Sequence, residues 1–201
     1  MRSFLFACTV LIFCACGSKK TADKETDNTL TQRLNEFMKA NDEMNLEKVL
    51  DYTYPKIYTI APRAEVLKVM RQTFDNDQVK VDIDSMKVDS LYPVFKLGKG
   101  SYAKVKYSML MLMNFKVTKD SADTGGAAQT EMIRQSLAQQ YGEENVRMDD
   151  KGIIHIRVKS PMVAIKDELS KEWTFVNIKE GDAMTEKMLS KELREKLATY
   201  N

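Results

Sequence analysis

The chain has 201 residues, 31 of them lysine or arginine and 29 aspartate or glutamate, so its net charge is close to zero. A near-neutral chain argues against a nucleic-acid-binding protein, because such proteins rely on clustered cationic groups. The three cysteines all lie within the first 16 residues, so the chain after Cys16 is predicted to form no disulfide. With a single histidine as well, this part of the chain is predicted to form no zinc site.

An apolar stretch from Phe4 to Ala15 follows Arg2 and ends at the sequence CGSKK. A positive start, a short apolar run and a small residue before a boundary are typical of a secretory signal peptide. The stretch is too short to cross a membrane, because a spanning helix needs about 20 apolar residues. Residues 1–15 are therefore predicted to be a cleaved signal peptide.

This leader resembles the signals of bacterial lipoproteins, in which a signal peptidase cuts directly before a cysteine that receives a diacylglycerol. Cys16 fits because small residues flank it on both sides, whereas Cys14 follows the bulky Phe13. The resemblance implies that Cys16 is lipidated, that residues 16–27 contain a polar tether, and that the protein is anchored in the cell envelope. Ser18, with no acidic pair after Cys16, favours the outer membrane with the protein facing the periplasm.

Residues 28–201 are long enough for one domain with one hydrophobic core. They are too short for two domains that would each bury a sufficient core of their own. Three helices are predicted to open this domain, because apolar residues recur there at helical spacing. Thr29 begins a capping box, Asn45 is placed to cap a second helix that ends before Pro55, and Pro62 suits the first turn of a third. The predicted apolar faces are Leu30, Leu34, Phe37 and Met38; Leu46, Val49 and Leu50; and Val66, Leu67, Met70 and Phe74.

The apolar period changes to two after Gln78, which indicates β-strands. The alternation from Val79 onward is interrupted, since Met86 and Val88 are one place out of phase. One extra residue near Ser85 would restore the face, so we predict a β-bulge there. Further strands are predicted at 92–97 and 103–117, joined by a hairpin turn at GKGS, and in the separate segments IIHIRVK, PMVAIKDE and WTFVNIKE.

Two more helices are predicted, at 127–141 and in the C-terminal sequence SKELREKLATY. Helices followed by a long antiparallel meander, together with VLDYTYPKIYTIAPRAEVLKVMRQTF and EWTFVNIKE, resemble the cone-shaped fold of nuclear transport factor 2, ketosteroid isomerase and scytalone dehydratase, including its lipid-anchored members. The resemblance implies an α+β fold in which N-terminal helices pack on a curved antiparallel sheet. This cone-shaped, cystatin-like domain would carry the helix at 127–141 and the C-terminal helix as additions.

The cone of this superfamily encloses a pocket, and we predict that Tyr54, Tyr58, Phe74, Tyr107 and Trp173 line it. These side chains offer apolar area and rim hydroxyl groups but no base. The sequence therefore favours a non-catalytic module without cofactor or metal. Its expected partner is a small apolar ligand or another envelope protein, and its expected state is a monomer or a homodimer.

A small isomerase or dehydratase with acid–base groups in the same pocket is the alternative. Asp51 lies close to the tyrosines in the sequence, but we expect it to face solvent at the end of the second helix. His155 shares a strand face with Arg157 and Lys159, so we expect a solvated histidine. No catalytic residue is therefore assigned.

Residues 108–114, SMLMLMN, are apolar on both faces of a predicted strand. The methionines continue one face, and Leu110 and Leu112 make the other apolar, so both faces need a cover. We expect the helix at 127–141 to cover Leu110 and Leu112 through its own apolar residues Met132, Ile133 and Leu137, because sequential elements tend to be spatial neighbours. A second subunit packed sheet to sheet is the alternative, and a promiscuous methionine-rich binding surface is a further interpretation.

Overall fold

The computed structural model describes residues 21–116, 125–179 and 181–200. The predicted signal peptide and Cys16 therefore lie outside the described residues, as does Val117 at the predicted end of a strand. Within the described ranges, the chain combines helices with a six-stranded antiparallel sheet. The α+β class predicted from the sequence is confirmed.

Within the described ranges, three helices precede the sheet, one interrupts it and two follow it. The helices are α1 (Thr21–Asp42), α2 (Leu46–Tyr52), α3 (Arg63–Phe74), α4 (Gly125–Tyr141), α5 (Ala183–Met188) and α6 (Lys191–Ala198). The strands are β1 (Val79–Leu91), β2 (Phe95–Leu97), β3 (Gly100–Phe115), β4 (Val146–Met148), β5 (Ile154–Lys166) and β6 (Thr174–Asn177). In this part of the chain we find no helix with both the length and the apolarity that a membrane crossing requires.

The N-terminal helices form where the apolar spacing predicts them, and the four core residues predicted for α1 are all buried. Asn45 caps α2, since its side chain accepts a hydrogen bond from the Lys48 backbone N–H at 3.1 Å. Pro62 directly precedes α3, as predicted. The predicted start of α1 at Thr29 is wrong, because the helix begins at Thr21, within the segment interpreted as a tether.

The bulge predicted near Ser85 is confirmed. The register between β1 and β3 shifts between Asp84 and Lys87, and Ser85 has a φ of 53°, in the left-handed region. The extra residue turns Met86 into the core, where it is 8% exposed. Its backbone N–H, freed from the ladder, donates to the Asp42 side chain of α1 at 2.7 Å. The bulge therefore also ties α1 to the sheet.

The central strand of the sheet is β3. Its one edge pairs with β1 and β2, its other edge pairs with β5, and β4 and β6 pair with the far edge of β5. The predicted hairpin at GKGS is confirmed as the turn between β2 and β3, where Leu97 lies opposite Gly100 and Gly98 has a φ of 57°. Glycine adopts this backbone conformation without strain.

The segments IIHIRVK and PMVAIKDE form one strand, β5, so the prediction of two strands separated by a turn is wrong. Pro161 lies within β5, opposite Lys106 of β3. The Pro161 carbonyl accepts a hydrogen bond from the Ile178 N–H at 3.2 Å, so the proline nitrogen also faces away from β3. On the edge of β5 away from β3, Pro161 lies between the residues that pair with β4 and those that pair with β6. The missing N–H of the proline therefore removes no hydrogen bond from either pairing.

The two faces of the sheet carry different helices. Face A, which contains Tyr107, Met109 and Met111 of β3, packs against α1 to α3 at one end and against α4 at the other. Face B contains the alternate residues of β3, from Tyr102 to Leu112. At one end of face B, α5 and α6 pack against Val163, Ile165 and Tyr102. The other end of face B has no helix over it among the described residues.

The prediction that α4 covers Leu110 and Leu112 is wrong. Ile133 and Leu137 of α4 pack with the methionines of face A, and Met132 points outward with 64% exposure. Strand alternation places Leu110 and Leu112 on face B, where they are half-buried. Sequence proximity correctly placed α4 against the end of the sheet that contains Met111 and Met113 of β3, but it did not determine which face of the sheet the helix covers.

Candidate functional site

The five aromatic residues predicted to line one pocket lie in two separate clusters. Tyr107 and Trp173 are 3% and 1% exposed in the core between α1 and face A, and the half-buried Phe74 packs against the same core. Burial raises the pKa of the Tyr107 hydroxyl, which donates a hydrogen bond to Asn177 at 3.1 Å. These three side chains fill the helix–sheet core.

Tyr54 belongs to the second cluster, beneath α5 and α6. Its hydroxyl donates to the Asp167 carboxylate at 2.6 Å, and burial, followed by this carboxylate, raises the pKa of Tyr54 well above its usual range. Tyr58 is half-buried and donates its hydroxyl to the Leu50 carbonyl at 2.6 Å. Both hydroxyl groups therefore hold elements of the fold together, and the structure does not bring the five aromatic residues into one pocket.

Asp51 faces solvent near the end of α2, as predicted. Its carboxylate is 2.6 Å from the Arg63 guanidinium in an exposed ion pair. The hydroxyl group of Tyr58 donates its hydrogen bond to the Leu50 carbonyl and not to Asp51. Asp51 and the tyrosines near it in the sequence therefore do not form an acid–base site.

His155 occupies the predicted face of β5, face B, but the prediction of a solvated side chain is wrong. Only 15% of its side chain is exposed. Its Nε2 atom is 2.9 Å from Asp149 Oδ2, and its Nδ1 atom is 3.2 Å from the Arg147 guanidinium. Arg147 lies on β4 and Asp149 in the turn after it, and no strand was predicted for this short segment.

The Asp149–His155 pair predicts a specific acid sensitivity. The hydrogen bond from His155 and those from the Ile153 and Lys151 backbone N–H groups hold the pKa of Asp149 below its usual value. A carboxyl group whose pKa is lower when folded stabilises the protein above its unfolded pKa of about 3.9 and loses that contribution as the pH falls. Urea unfolding between pH 7 and pH 3 should show a steeper loss of stability in the wild type than in Asp149→Asn. Equal slopes would contradict the assignment.

The uncovered end of face B forms a groove of about 880 Å³ across β1, β3 and β5. It contains five cationic side chains and one carboxylate, and we call it the cationic groove: Lys87, Lys104, Lys106, Arg157, Lys159 and Asp89. Of the predicted aromatic residues, Tyr107 borders it. Lys104 donates to the carbonyl groups of Leu197 and Tyr200, so the C-terminal end of α6 borders one end of the groove.

Ser108 lies at the centre of the cationic groove. The register places Lys87 of β1 opposite Ser108 on one side and Lys159 of β5 opposite it on the other. The Ser108 hydroxyl donates to Asp89 at 2.9 Å. Residues directly opposite in neighbouring strands share a face, so both lysines extend from the same side of the sheet as Ser108. The groove therefore presents cations from separate strands around one buried hydroxyl group.

Most of the positive charge in the cationic groove is not compensated. Within the part of the chain that the structure describes, the side chains of Lys87, Arg157 and Lys159 have no hydrogen bond or ion pair, and all three are exposed. Lys106 lies 5.6 Å from the Tyr92 ring centre. Charges of one sign in a concave surface raise the local concentration of ions of the other sign. The electrostatics of the groove therefore favour an anionic group.

The cationic groove was not predicted from the sequence, in which Lys104 and Lys106 are two lysines of a single strand segment. A signal was present, since both lysines alternate with the apolar residues of β3, as Arg157 and Lys159 do on β5. The pairing of β3 with β5 and β1 was not predictable from these patterns. Only that pairing brings the basic residues together.

Comparison with known proteins gives no assignment, because no protein-family model and no curated protein sequence matches the chain significantly. Among the described residues, no group of three histidine, cysteine, aspartate or glutamate side chains is arranged to hold a metal ion.

Proposed function

We propose that this protein is a lipid-anchored, non-catalytic binding module of the cell envelope that takes its ligand in the cationic groove. The observation that carries the proposal is the uncovered end of face B, where cations from β1, β3 and β5 surround a groove of about 880 Å³. This size lies within the range of about 300–1,000 Å³ typical of small-molecule sites. The leader sequence and Cys16 support the anchor, the envelope location and an outer-membrane position facing the periplasm.

The fold is, in the same proposal, a variant of the cone found in nuclear transport factor 2 and its relatives. The order of α1 to α3 before an antiparallel meander, and the bulged strand β1, support it. The packing of α5 and α6 on face B is an addition that narrows the uncovered area of that face. The ligand site of this variant is then on face B, and the predicted aromatic residues act as core.

Binding is favoured over acid–base catalysis by the partners of the carboxylate and imidazole groups. Asp51 is exposed and paired with Arg63, and His155 is held by Asp149. Asp89, the one carboxylate in the cationic groove, accepts a hydrogen bond from the Ser108 hydroxyl group. A general base must reach a proton of the substrate, and the other charged side chains that line the groove are cations, which donate hydrogen bonds.

The experiment that tests the groove is native mass spectrometry of the mature, lipidated protein extracted from its own membrane in mild detergent. We expect a fraction of the wild type to carry a bound small molecule that Arg157→Glu/Lys159→Glu loses, because reversing two groove charges repels an anion. Lys68→Glu/Lys171→Glu is the matched control, since both lysines are exposed and lie outside the groove. A bound molecule retained by the groove variant, or a wild type without one, contradicts the proposal.

A further inference from the structure

We infer that the ligand of the cationic groove is a small organic anion with two or more negative charges and an apolar portion. This inference rests on the proposed function, because it takes the groove as the ligand site and names the chemical class of its occupant. Three features carry it: the spacing of the cations, the apolar residues beside them and the end of the groove that α6 borders.

The cations are spaced for more than one anionic group. Lys87 and Lys159 lie on either side of Ser108, and adjacent strands are about 4.8 Å apart, so the two backbones are about 10 Å apart. Lys106 lies two residues before Ser108 on the same face, and Arg157 lies two residues before Lys159. Flexible lysine side chains in this arrangement approach one molecule above Ser108 from opposite sides. A ligand with two separated charges can therefore contact both.

Acidic residues near the cationic groove do not cancel this charge. Asp89 accepts a hydrogen bond from the Ser108 hydroxyl group at 2.9 Å and keeps its negative charge, but it offsets only one of the five positive charges that line the groove. Asp84 lies opposite Leu110, one row further along the sheet, and is exposed. The register places a lysine on each side of Ser108, and neither of these lysines has an acidic residue, among those that the structure describes, as its partner in an ion pair. A bound polyanion would supply the missing opposite charge.

The apolar portion of the ligand follows from Leu110. Leu110 is half-buried in the lining of the groove and lies directly opposite Arg157 of β5. Pro161 contributes further apolar surface to the same lining. Leu112 extends the apolar surface of face B beyond the groove. An apolar group of a ligand that covers Leu110 removes apolar surface from water, which makes the binding free energy more favourable. A purely inorganic anion would leave this surface exposed.

A small molecule is favoured over an extended macromolecule because α6 restricts the groove. Lys104 is bonded to the Leu197 and Tyr200 carbonyl groups, so the end of α6 lies at the edge of the groove. The Tyr200 ring also stacks on Phe95, 5.7 Å between ring centres, which fixes this end of the chain against β2. A long chain lying along the strands would meet this barrier.

Naphthalene-1,5-disulfonate, a rigid apolar ring system with two anionic groups, is the probe that tests the inference. Its affinity for the mature, lipidated protein in detergent is measured by calorimetry beside that of the uncharged 1,5-dihydroxynaphthalene. We expect the disulfonate to bind at least tenfold more tightly than the diol, and its affinity to fall as salt is added, because salt screens exposed charges. No binding of the disulfonate at millimolar concentration overturns the inference.

Two double variants with the same change in net charge locate the interaction. Lys87→Gln/Lys159→Gln should weaken disulfonate binding at least tenfold, whereas Lys68→Gln/Lys171→Gln, which lies outside the cationic groove, should leave it unchanged. Equal weakening in both overturns the inference, because it indicates attraction by overall charge alone. If the diol binds as tightly as the disulfonate, the anionic class is wrong. The mass spectrometry of the groove variant still decides the proposed function in each of these cases.

Discussion

Cys16→Ser is expected to move the protein from the membrane fraction to the soluble fraction. The proposed anchor is a cysteine that carries several acyl chains, and each buried methylene contributes about 0.8 kcal/mol to membrane binding. Serine cannot form the thioether that holds the diacylglycerol, so the change removes the anchor and leaves the folded domain intact. Fractionation of cells, with the carbonate-washed membrane analysed separately, measures the distribution.

Cys14→Ser is the matched control, because it removes a thiol from the same leader two residues away. We expect this variant to stay in the membrane fraction and to incorporate labelled palmitate as the wild type does. Equal incorporation of the label into Cys16→Ser and the wild type would show that another residue carries the lipid. A soluble Cys14→Ser protein would show that the leader, and not one cysteine, determines the location.

Trp173→Ala is expected to lower the free energy of unfolding by about 3–5 kcal/mol, the usual range for truncating a large buried aromatic side chain. Trp173 is 1% exposed and is among the largest fully buried side chains of the described residues. It packs with Phe175 and with residues of α1 in the core of face A, so alanine leaves a cavity between the helices and the sheet. Urea unfolding in the Cys16→Ser background measures the change without detergent.

Trp173→Phe is the control for the loss of ring volume. Trp173 Nε1 is buried and, among the described residues, has no hydrogen-bond partner, and an unpaired buried donor costs about 1–3 kcal/mol. Phenylalanine keeps most of the apolar contact and removes this donor, so we expect it to cost clearly less than alanine. The Trp173 backbone carbonyl, which accepts a hydrogen bond from Arg33 at 3.2 Å, is unaffected by either change. A loss below about 1 kcal/mol in Trp173→Ala would contradict the assigned core role.

The candidate site was predictable only in its parts. The sequence showed lysines alternating with apolar residues on β3 and basic residues on β5. It placed Asp51 correctly in solvent, but it assigned Trp173 and Tyr107 to the lining of a pocket, whereas both are buried in the core. It could not show that the aromatic residues are divided between two clusters, because these clusters are defined by which helix covers each face of the sheet.

Local physics determined what the sequence predicted correctly. The spacing of Leu30, Leu34, Phe37 and Met38 predicted a buried helix face, and Asn45 predicted a helix cap, because both depend on residues a few positions apart. The phase shift between Ile83 and Met86 predicted the bulge, since the period of a strand is two. These features need no knowledge of the rest of the chain.

Only the tertiary structure decided the features that depend on distant residues. The face of β3 that α4 covers, the continuity of β5 through Pro161, and the enclosure of His155 by Arg147 and Asp149 follow from how elements pack. The cationic groove depends on a register that sets Lys87 and Lys159 opposite Ser108, although these residues are far apart in the chain. Such pairings are selected by the packing free energy of the whole sheet and its helices, which no short stretch of sequence contains.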